Sequence, residues 1–276
     1  YNDGSMVVLM RDGTRTVVSM QNDYHGPPEA FALVVPEPEV LDEDMVRTLP
    51  REVFAKVDRL TAPRLVEYWE QDPCPQPALA VGYEGGVQVD TVSREEFSDE
   101  GDEDDEPRDL GVRVEAEFAV GEYDIVILSA EYSAGLDAWL RQNGYAIPAG
   151  AERVLRPYVE QNMKFFVAKV DPRRVTFDGE SAVLSPLRFH YDAESFFLPI
   201  RLGLLDARGQ QDVVVNVLAR QLRDEVANYD NFAIHTSRTV SDRVRAEFGS
   251  FYDALFTRMI EAHPGSVITE YAWGAG

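Results

Sequence analysis

Short runs of apolar and β-branched residues, separated by polar turns, fill the first forty positions of the chain. Residues 6–10 and 14–21 form two such runs, and Arg11-Asp12-Gly13 lies between them. Asp-Gly readily adopts the positive φ angles that a tight hairpin turn requires. A third run, residues 31–35, ends at a proline, which has no backbone N–H to donate to a sheet. The pattern therefore predicts a β-hairpin followed by a third strand.

The second half of the chain repeats the strand pattern. Residues 112–120 place an apolar side chain at every second position, which is the spacing of one face of a strand. Residues 123–128 form a mostly apolar run, so the two segments predict a second hairpin. Turn-forming residues 206–211 predict a third hairpin from the strands on either side of them. The further predicted strands are residues 165–170, 183–190, 198–205, 213–218 and 267–273.

Apolar residues at helical spacing interrupt the strands. After Pro50, they recur at intervals of four and three residues, which predicts a first helix. Two more helices are predicted at residues 133–143 and 151–161. The strongest helical pattern begins at Ser241, an N-cap candidate, and runs to about Ala262. Its apolar face comprises Val244, Phe248, Phe251, Tyr252, Leu255, Phe256 and Met259.

These elements predict an α+β fold. Because helices come between clusters of strands rather than alternating with them one for one, a doubly wound parallel sheet is disfavoured. We expect antiparallel β-hairpins that form one or two sheets, with inserted helices and a long C-terminal amphipathic helix. Residues 1–111 are predicted to form an N-terminal hairpin and helical region that ends in an acidic loop, about 72–111. Residues 112–276 are the predicted main α+β region, and a single continuous domain is the alternative.

Acidic residues greatly outnumber basic ones. The chain has 49 Asp and Glu against 26 Lys and Arg, a net charge of −23, and nine of the acidic residues lie between positions 95 and 106. Such a run is typical of a solvated insertion. We expect no nucleic-acid partner, because phosphate binding requires a basic surface. We also expect no membrane insertion, because no run reaches the roughly 18 apolar residues of a spanning helix.

Motifs for nucleophilic, zinc and nucleotide chemistry are missing from the sequence. There is no Gly-x-Ser-x-Gly elbow and no glycine-rich phosphate loop after a strand. The histidines, His25, His190, His235 and His263, occur singly, whereas zinc requires several close ligands. The acidic run does not match a calcium-binding loop, so weak association with Ca²⁺ is the most that it predicts. We therefore predict no catalytic, cofactor-binding or metal-binding residue.

Two groups of side chains leave other functions open. Among 49 acidic residues, two carboxylates of a secreted hydrolase for glycans or peptides could meet in the fold, about 5 to 10 Å apart. Aromatic residues near predicted strand ends could instead line a groove for a glycan or peptide, although core packing is their simpler role. They are Phe165, Phe166, Phe189, Tyr191, Phe196 and Phe197. The mid-strand arginines Arg188 and Arg201 could be members of buried ion pairs or could lie at edge positions, and structural ion pairs are the favoured interpretation.

The chain has a single cysteine, Cys74, which lies between Pro73 and Pro75. A free buried thiol is one interpretation. The other is a disulfide with a cysteine outside the 276 residues, since flanking prolines are typical of a loop. The first residue is Tyr1 rather than Met, so we expect the numbering to begin on a processed or partial chain.

Six segments that together span nearly the whole chain form a distinctive set. They are Tyr24-His25-Gly26-Pro27-Pro28-Glu29-Ala30-Phe31 with Val34-Val35-Pro36-Glu37-Pro38; Tyr123-Asp124-Ile125-Val126-Ile127-Leu128 with Gly144-Tyr145; Lys164-Phe165-Phe166-Val167; Leu184-Ser185-Pro186-Leu187-Arg188-Phe189; Leu198-Pro199-Ile200-Arg201-Leu202; and Thr269-Glu270-Tyr271-Ala272-Trp273. The set resembles a bacterial family known as domain of unknown function 2330. Members of that family resemble exported envelope proteins with a signal sequence and cysteines on both sides of the matched region.

The resemblance implies that Cys74 pairs with a cysteine outside these residues and that both ends are truncations. It implies no activity. Together with the missing catalytic motifs, it predicts a non-catalytic domain of an exported protein, in the periplasm, on the outer-membrane surface or outside the cell. We expect this domain to contribute to an envelope or extracellular assembly through contacts with other protein subunits or with missing segments of its own polypeptide.

Overall fold

The computed structural model of the chain describes residues 2–24, 31–67, 110–178, 181–205, 212–220, 223–235 and 239–274. Its strands are β1 (Asn2–Asp12), β2 (Arg15–Tyr24), β3 (Ala32–Glu37), β4 (Val46–Thr48), β5 (Val112–Val120), β6 (Tyr123–Ala130), β7 (Lys164–Val170), β8 (Thr176–Asp178), β9 (Ser181–Val183), β10 (Leu187–Asp192), β11 (Asp212–Leu218), β12 (Asn231–Ala233) and β13 (Val267–Thr269). Its α-helices are α1 (Arg51–Thr61), α2 (Ser133–Gln142), α3 (Ala151–Glu160), α4 (Asp242–Ala246) and α5 (Phe248–Ala262). Short 3₁₀ helices cover Glu43–Met45 and Arg201–Leu205.

Most strands belong to two sheets. The five-stranded sheet has the order β11-β1-β2-β10-β4, and the four-stranded sheet has the order β3-β7-β6-β5. Strands β8 and β9 form one small ribbon, and β12 and β13 form another. Neighbouring strands are antiparallel except for β1 with β11 and β12 with β13, which are parallel. Sheets and helices together confirm the predicted α+β class.

Two predicted hairpins are present in the structure. Strands β1 and β2 pair as far as Asp12 and Arg15, and the turn contains Gly13 with φ of 61°. Strands β5 and β6 pair as far as Val120 and Tyr123, and that turn contains Gly121 with φ of 59°. Glycine adopts these positive φ angles without the steric clash that a Cβ atom introduces, so each turn is encoded locally.

The five-stranded and four-stranded sheets pack face to face around the larger core. Phe166 of β7 and Phe189 of β10 are fully buried, and their stacked rings, 5.5 Å apart, join the two sheets. The five-stranded sheet contributes buried Val7, Leu9, Val18, Met20, Val46, Leu187, Phe189 and Tyr191. The four-stranded sheet contributes buried Val35, Tyr123, Ile125, Ile127, Phe166, Ala168 and Val170.

Helices α2 and α3 cover the other face of the four-stranded sheet. Phe165 and Val167 of β7 point to these helices, on the opposite face from Phe166. Leu136 and Leu140 from α2 and Ala151, Leu155 and Val159 from α3 complete this second core. Strand β7 is therefore buried on both faces, and the order of layers is five-stranded sheet, four-stranded sheet, helices.

The predicted hairpin formed by residues 198–205 and 213–218 is wrong. Residues Arg201–Leu205 form a 3₁₀ helix, and β11 pairs in parallel with β1, with Val215 opposite Val7. Pro199 has no backbone N–H to donate, which disfavours residues 198–205 as a central strand. Apolar alternation identified β11 as a strand but did not identify its partner.

The predicted long amphipathic helix over residues 241–262 is also wrong. Helix α4 ends at Ala246, Glu247 leaves helical geometry with φ of −126° and ψ of 32°, and α5 is a separate helix of 15 residues. No residue of α4 or α5 is buried. Gly249 and Ser250 follow the break and are weak helix formers. Local helix propensity therefore does not favour a single continuous helix through this segment.

Strands from both predicted regions share the five-stranded sheet. Strands β1, β2 and β4 come from residues 1–111, whereas β10 and β11 come from residues 112–276. Within residues 1–63 and 109–276, the described residues form one compact unit. The acidic loop predicted at about 72–111 lies almost entirely outside the described residues, and so does the acidic run at 95–106.

Candidate functional site

A cavity of about 180 Å³ opens on the outer face of the five-stranded sheet. Its lining residues are Arg15, Asp44, Met45, Arg47, Arg188 and His190. Three guanidinium groups and one imidazole therefore share a small space in a chain with a net charge of −23. Convergent polar groups in a concave site can fix the orientation of a small ligand.

Strand pairing brings these cationic residues together. In β10, Arg188 and His190 alternate with Phe189, whose side chain is buried in the core, so both point to the outer face. Arg188 lies directly opposite Arg47 of β4. Arg15 of β2 lies at the other end of β10, opposite Asp192. Three adjacent strands thus supply the cavity with side chains from regular backbone.

The charges in the cavity are only partly neutralised. Arg15 and Asp192 form an ion pair of 3.8 Å in which both side chains are more than half exposed, so it contributes little. Among the described residues, neither Arg47 nor Arg188 forms an ion pair with a carboxylate. The predicted structural ion pair of Arg188 is therefore not found there. Like charges directly opposite one another on neighbouring strands repel, which favours an anion between them.

The imidazole of His190 is affected by its cationic neighbours. Burial, followed by the guanidinium groups of Arg15 and Arg188, lowers the pKa of His190. The carboxylates of Asp44 and Asp192 act in the opposite direction. The net lowering means that burial and the neighbouring guanidinium groups together disfavour the protonated imidazole.

A second polar cluster is buried between the two large sheets. The Glu37 side chain, at the end of β3, is 2 % exposed, and burial, followed by the Glu39 carboxylate, raises its pKa. Tyr191 lies near enough to Glu37 for the carboxylate to raise the tyrosine pKa, and Thr16 is hydrogen-bonded to Tyr191. Arg11 donates from Nη1 to Thr16 Oγ1 at 2.7 Å. Because Thr16, Glu37 and Tyr191 are buried, this cluster is inaccessible to a substrate.

A smaller cavity of about 10 Å³ lies beside Tyr123 and Ser185 and has room for about one water molecule. The Tyr123 hydroxyl donates to the Ser185 carbonyl at 2.7 Å, and the Ser185 N–H donates to Glu122 at 2.5 Å. This cavity has no carboxylate in its lining, and the larger one has only Asp44. Neither cavity therefore holds the paired carboxylates that a hydrolase of the predicted kind requires.

The aromatic residues proposed for a ligand groove pack mainly in the interior. Phe165, Phe166, Phe189 and Tyr191 are buried in the two cores. Phe196 and Phe197 are half-buried against them, and the Arg11 guanidinium lies 5.6 Å from the centre of the Phe196 ring. These rings stabilise the fold and do not line either cavity.

Cys74 lies outside the described residues, so its state stays a prediction. With one cysteine in 276 residues, no disulfide can form within them. His25 is also outside the described residues, whereas His235 is exposed and the ring of His263 stacks on Phe232 at 3.6 Å. In the described part of the chain, no group of three or more His, Cys, Asp or Glu side chains is arranged to hold a metal ion.

The free edge of the five-stranded sheet is apolar. Strand β11 pairs with β1 on one side, and on its other side no described residue forms a paired strand. Val213, Val215 and Val217 continue the face on which Val7 and Leu9 are buried, but they are 44 %, 41 % and 37 % exposed. Five of the seven residues of β11 are exposed valines or leucine. Another strand can pair with the unpaired backbone N–H and C=O groups of such an edge.

Sequence reasoning missed the cationic cavity. It treated Arg188 and His190 separately and gave no role to Arg15 or Arg47. Their i, i+2 spacing on β10 was a usable signal, because it places Arg188 and His190 on one face of a strand. The convergence with Arg15 and Arg47 depends on strand partners that are far apart in sequence.

None of the helices in the described residues has the length and apolar character needed to cross a membrane. Searches of curated proteins and of solved structures gave no match. A family model described as "uncharacterized protein conserved in bacteria" matches residues 1–275. The six sequence segments and this match over almost the full length lead to one conclusion: the chain belongs to the bacterial family DUF2330.

Proposed function

We propose that this chain is a non-catalytic domain of an exported protein and that it binds another protein through the edge of β11. The observation that carries the proposal is the exposed apolar surface of Val213, Val215 and Val217 beside an edge without a described strand partner. An added strand would satisfy the backbone groups of that edge and cover the three valines. This is the β-augmentation mode of peptide recognition.

The chemistry of β11 and the net charge define the expected partner. Alternate apolar residues in an extended segment would cover the exposed valines, because side chains on one face of a strand recur every second residue. A second copy of a chain with net charge −23 would be repelled. Charge therefore favours a different protein over a second copy of this chain, and its docking strand should be apolar on one face and flanked by Lys or Arg.

Site-specific photocrosslinking in the producing bacterium tests this interaction. A photoreactive residue at Val215 should give a discrete adduct with a different protein. The matched control is Val114 on β5, the edge strand of the four-stranded sheet, where the valine is 46 % exposed. The same residue there should give no such adduct. Mass spectrometry of the adduct should identify a strand with alternating apolar residues and basic flanks.

Lysine substitutions provide the second arm of this test. Val217→Lys should abolish the Val215 adduct, because it places a charged group on the apolar face, whereas Val114→Lys should leave it unchanged. An adduct consisting of two copies of this chain, or equal adducts at Val215 and Val114, would contradict the proposal. Absence of any adduct at Val215 in the folded protein would contradict it as well.

The extracytoplasmic location is tested separately, by fractionation of the producing cells. The full polypeptide should be found in the periplasm, on the outer-membrane surface or in the medium, and a cytoplasmic enzyme should mark intact cells. Protease added to the outside of intact cells would distinguish a surface location from a periplasmic one. Recovery of the full polypeptide with the cytoplasmic marker would show that the domain is not exported.

A further inference from the structure

We propose that the cavity lined by Arg15, Arg47, Arg188 and His190 is a binding site for a phosphate group, either free or carried by a small molecule. Three guanidinium groups converge there from β2, β4 and β10. The planar donor fork of arginine matches the oxygen geometry of phosphate and forms charge-assisted hydrogen bonds with it. The site is separate from the edge of β11 and does not depend on its function.

The volume of the cavity limits the ligand. The space of about 180 Å³ is far larger than the cavity of about 10 Å³ that has room for one water molecule. It accommodates a tetrahedral oxyanion with some retained water, or a phosphate with a short organic group. Inorganic phosphate and a small phosphate monoester are the two ligands that the proposal names.

Arg47 and Arg188 form no ion pair within the described residues, which indicates that the ligand is an anion rather than a neutral molecule. In a chain with 49 acidic residues, a carboxylate at a neighbouring strand position would pair easily with Arg47 or Arg188. Within the described residues no such pair forms, and the two arginines lie opposite each other. An oxyanion between them would remove their repulsion and supply the missing acceptors.

Two carboxylates compete with the ligand and lower its affinity. Asp44 lies in the lining of the cavity, and Asp192 lies 3.8 Å from Arg15. The Arg15–Asp192 pair is exposed and weak, so Arg15 is free to turn to an anion. Arg47 and Arg188 therefore form the centre of the site, and Arg15 and His190 complete it. Their positions on strands keep the site preorganised.

Isothermal titration calorimetry of the full chain with inorganic phosphate, at constant ionic strength set with NaCl, tests the proposal. Wild-type protein should bind one phosphate saturably. Arg188→Gln and Arg47→Gln should each weaken binding at least tenfold. The matched control is Arg153→Gln on α3, an exposed arginine outside the cavity that loses the same charge. It should change the affinity less than twofold.

Arg188→Lys separates the guanidinium fork from charge alone. It retains the charge but lacks the two-donor geometry, so its affinity should lie between those of wild type and Arg188→Gln. Thermal unfolding should show that each variant is folded. If Arg188→Gln does not fold, the exposed Arg47→Gln provides the same measurement. Titration with glycerol phosphate shows whether the site binds free phosphate or a phosphate monoester. If glycerol phosphate binds more tightly than inorganic phosphate, the ligand is a monoester. If it binds equally or more weakly, the ligand is free phosphate.

Three outcomes would overturn the proposal. The first is no saturable heat with either phosphate or glycerol phosphate. The second is an equal loss of affinity in Arg153→Gln and Arg188→Gln, which would show diffuse attraction to net charge rather than a site. The third is equally tight binding of acetate at the same ionic strength, which would show that the arginines do not select a tetrahedral dianion.

Discussion

Glu37 is a carboxyl group placed between two sheets. Its side chain is 2 % exposed, and its neighbours include Tyr191, whose pKa it raises. Burial and the Glu39 carboxylate raise the pKa of Glu37, so folding favours its neutral form. Below the ordinary glutamate pKa, the group is protonated in both the folded and the unfolded chain and does not destabilise the fold. As the pH rises from there through the folded pKa, stability is lost.

Glu37→Gln removes this titration. We expect the free energy of unfolding of the variant, relative to wild type, to increase between pH 5 and pH 8. The gain is about 1.4 kcal/mol for each unit by which the folded pKa is raised within that window. Urea unfolding at the two pH values measures it. The exposed Glu117→Gln on β5 controls for the loss of one negative charge. The prediction would be contradicted if the free energy of unfolding of Glu37→Gln differed from that of wild type by the same amount at both pH values.

His190 makes anion binding at the cavity depend on pH. Burial, Arg15 and Arg188 lower its pKa, so the imidazole is neutral at pH 8. Protonation at lower pH adds a positive charge, and a bound dianion favours that form. The charged groups around His190 are Arg15, Arg47, Arg188, Asp44 and Asp192.

Sulfate is the suitable probe for this effect, because it stays a dianion over the whole pH range. Its affinity, measured by calorimetry, should increase severalfold from pH 8 to pH 5.5. In His190→Gln the increase from pH 8 to pH 5.5 should be much smaller. An equal increase in both proteins would assign the effect to other groups.

At the scale of the element, two helical glycines differ in their surroundings. A Cβ atom on Gly135 in α2 would lie 1.8 Å from the backbone carbonyl oxygen of Leu110. A Cβ on Gly249 in α5 would meet nothing within 4 Å. Neither glycine has a positive φ angle. The glycine of α2 thus permits a close approach of two backbone segments, whereas the glycine of α5 only weakens its helix.

Alanine substitutions should therefore have opposite effects at the two positions. Gly249→Ala should stabilise the protein by up to about 1 kcal/mol, because alanine is the better helix former and has free space there. Gly135→Ala should destabilise it by about 1–3 kcal/mol or more, because the clash is with backbone and α2 must move. Chemical denaturation of both variants measures the difference. Stabilisation by Gly135→Ala would show that α2 does not approach Leu110 so closely.

At the scale of the whole molecule, the net charge of −23 opposes the compact state. The repulsion acts between exposed carboxylates, which salt screens efficiently. The Debye length falls from about 10 Å at 0.1 M to about 3 Å at 1 M ionic strength. Stability should therefore depend strongly on salt, in contrast to a protein with balanced charge.

We expect the melting temperature at pH 7.5 to rise between 0.1 M and 1 M NaCl. Each kcal/mol of repulsion that is screened corresponds to about 2–4 °C for a chain of this size. Calorimetry or circular dichroism measures the shift. At pH 4.5, where part of the carboxylates is protonated, the same increase in salt should have a smaller effect. An unchanged or lower melting temperature in 1 M NaCl at pH 7.5 would contradict the prediction.

Local patterns in the sequence were enough to predict the α+β class, the β1–β2 and β5–β6 hairpins and the approximate positions of α2 and α3. A turn glycine such as Gly13 and the alternation of side chains along a strand act within about ten residues. The resemblance to the family also depended on short segments, and the family match over residues 1–275 confirms it. In each case, the information lies in neighbouring residues.

Only the tertiary structure decided which strands lie side by side. The backbone edge of a strand is nearly the same for every sequence, so the local pattern leaves the partner of β11 open, and in the structure that partner is β1. The cavity depends on the same choice, because Arg47 and Arg188 are 141 positions apart and meet through the pairing of β4 with β10. Cooperative burial selects such non-local pairs, and local residue patterns do not encode them.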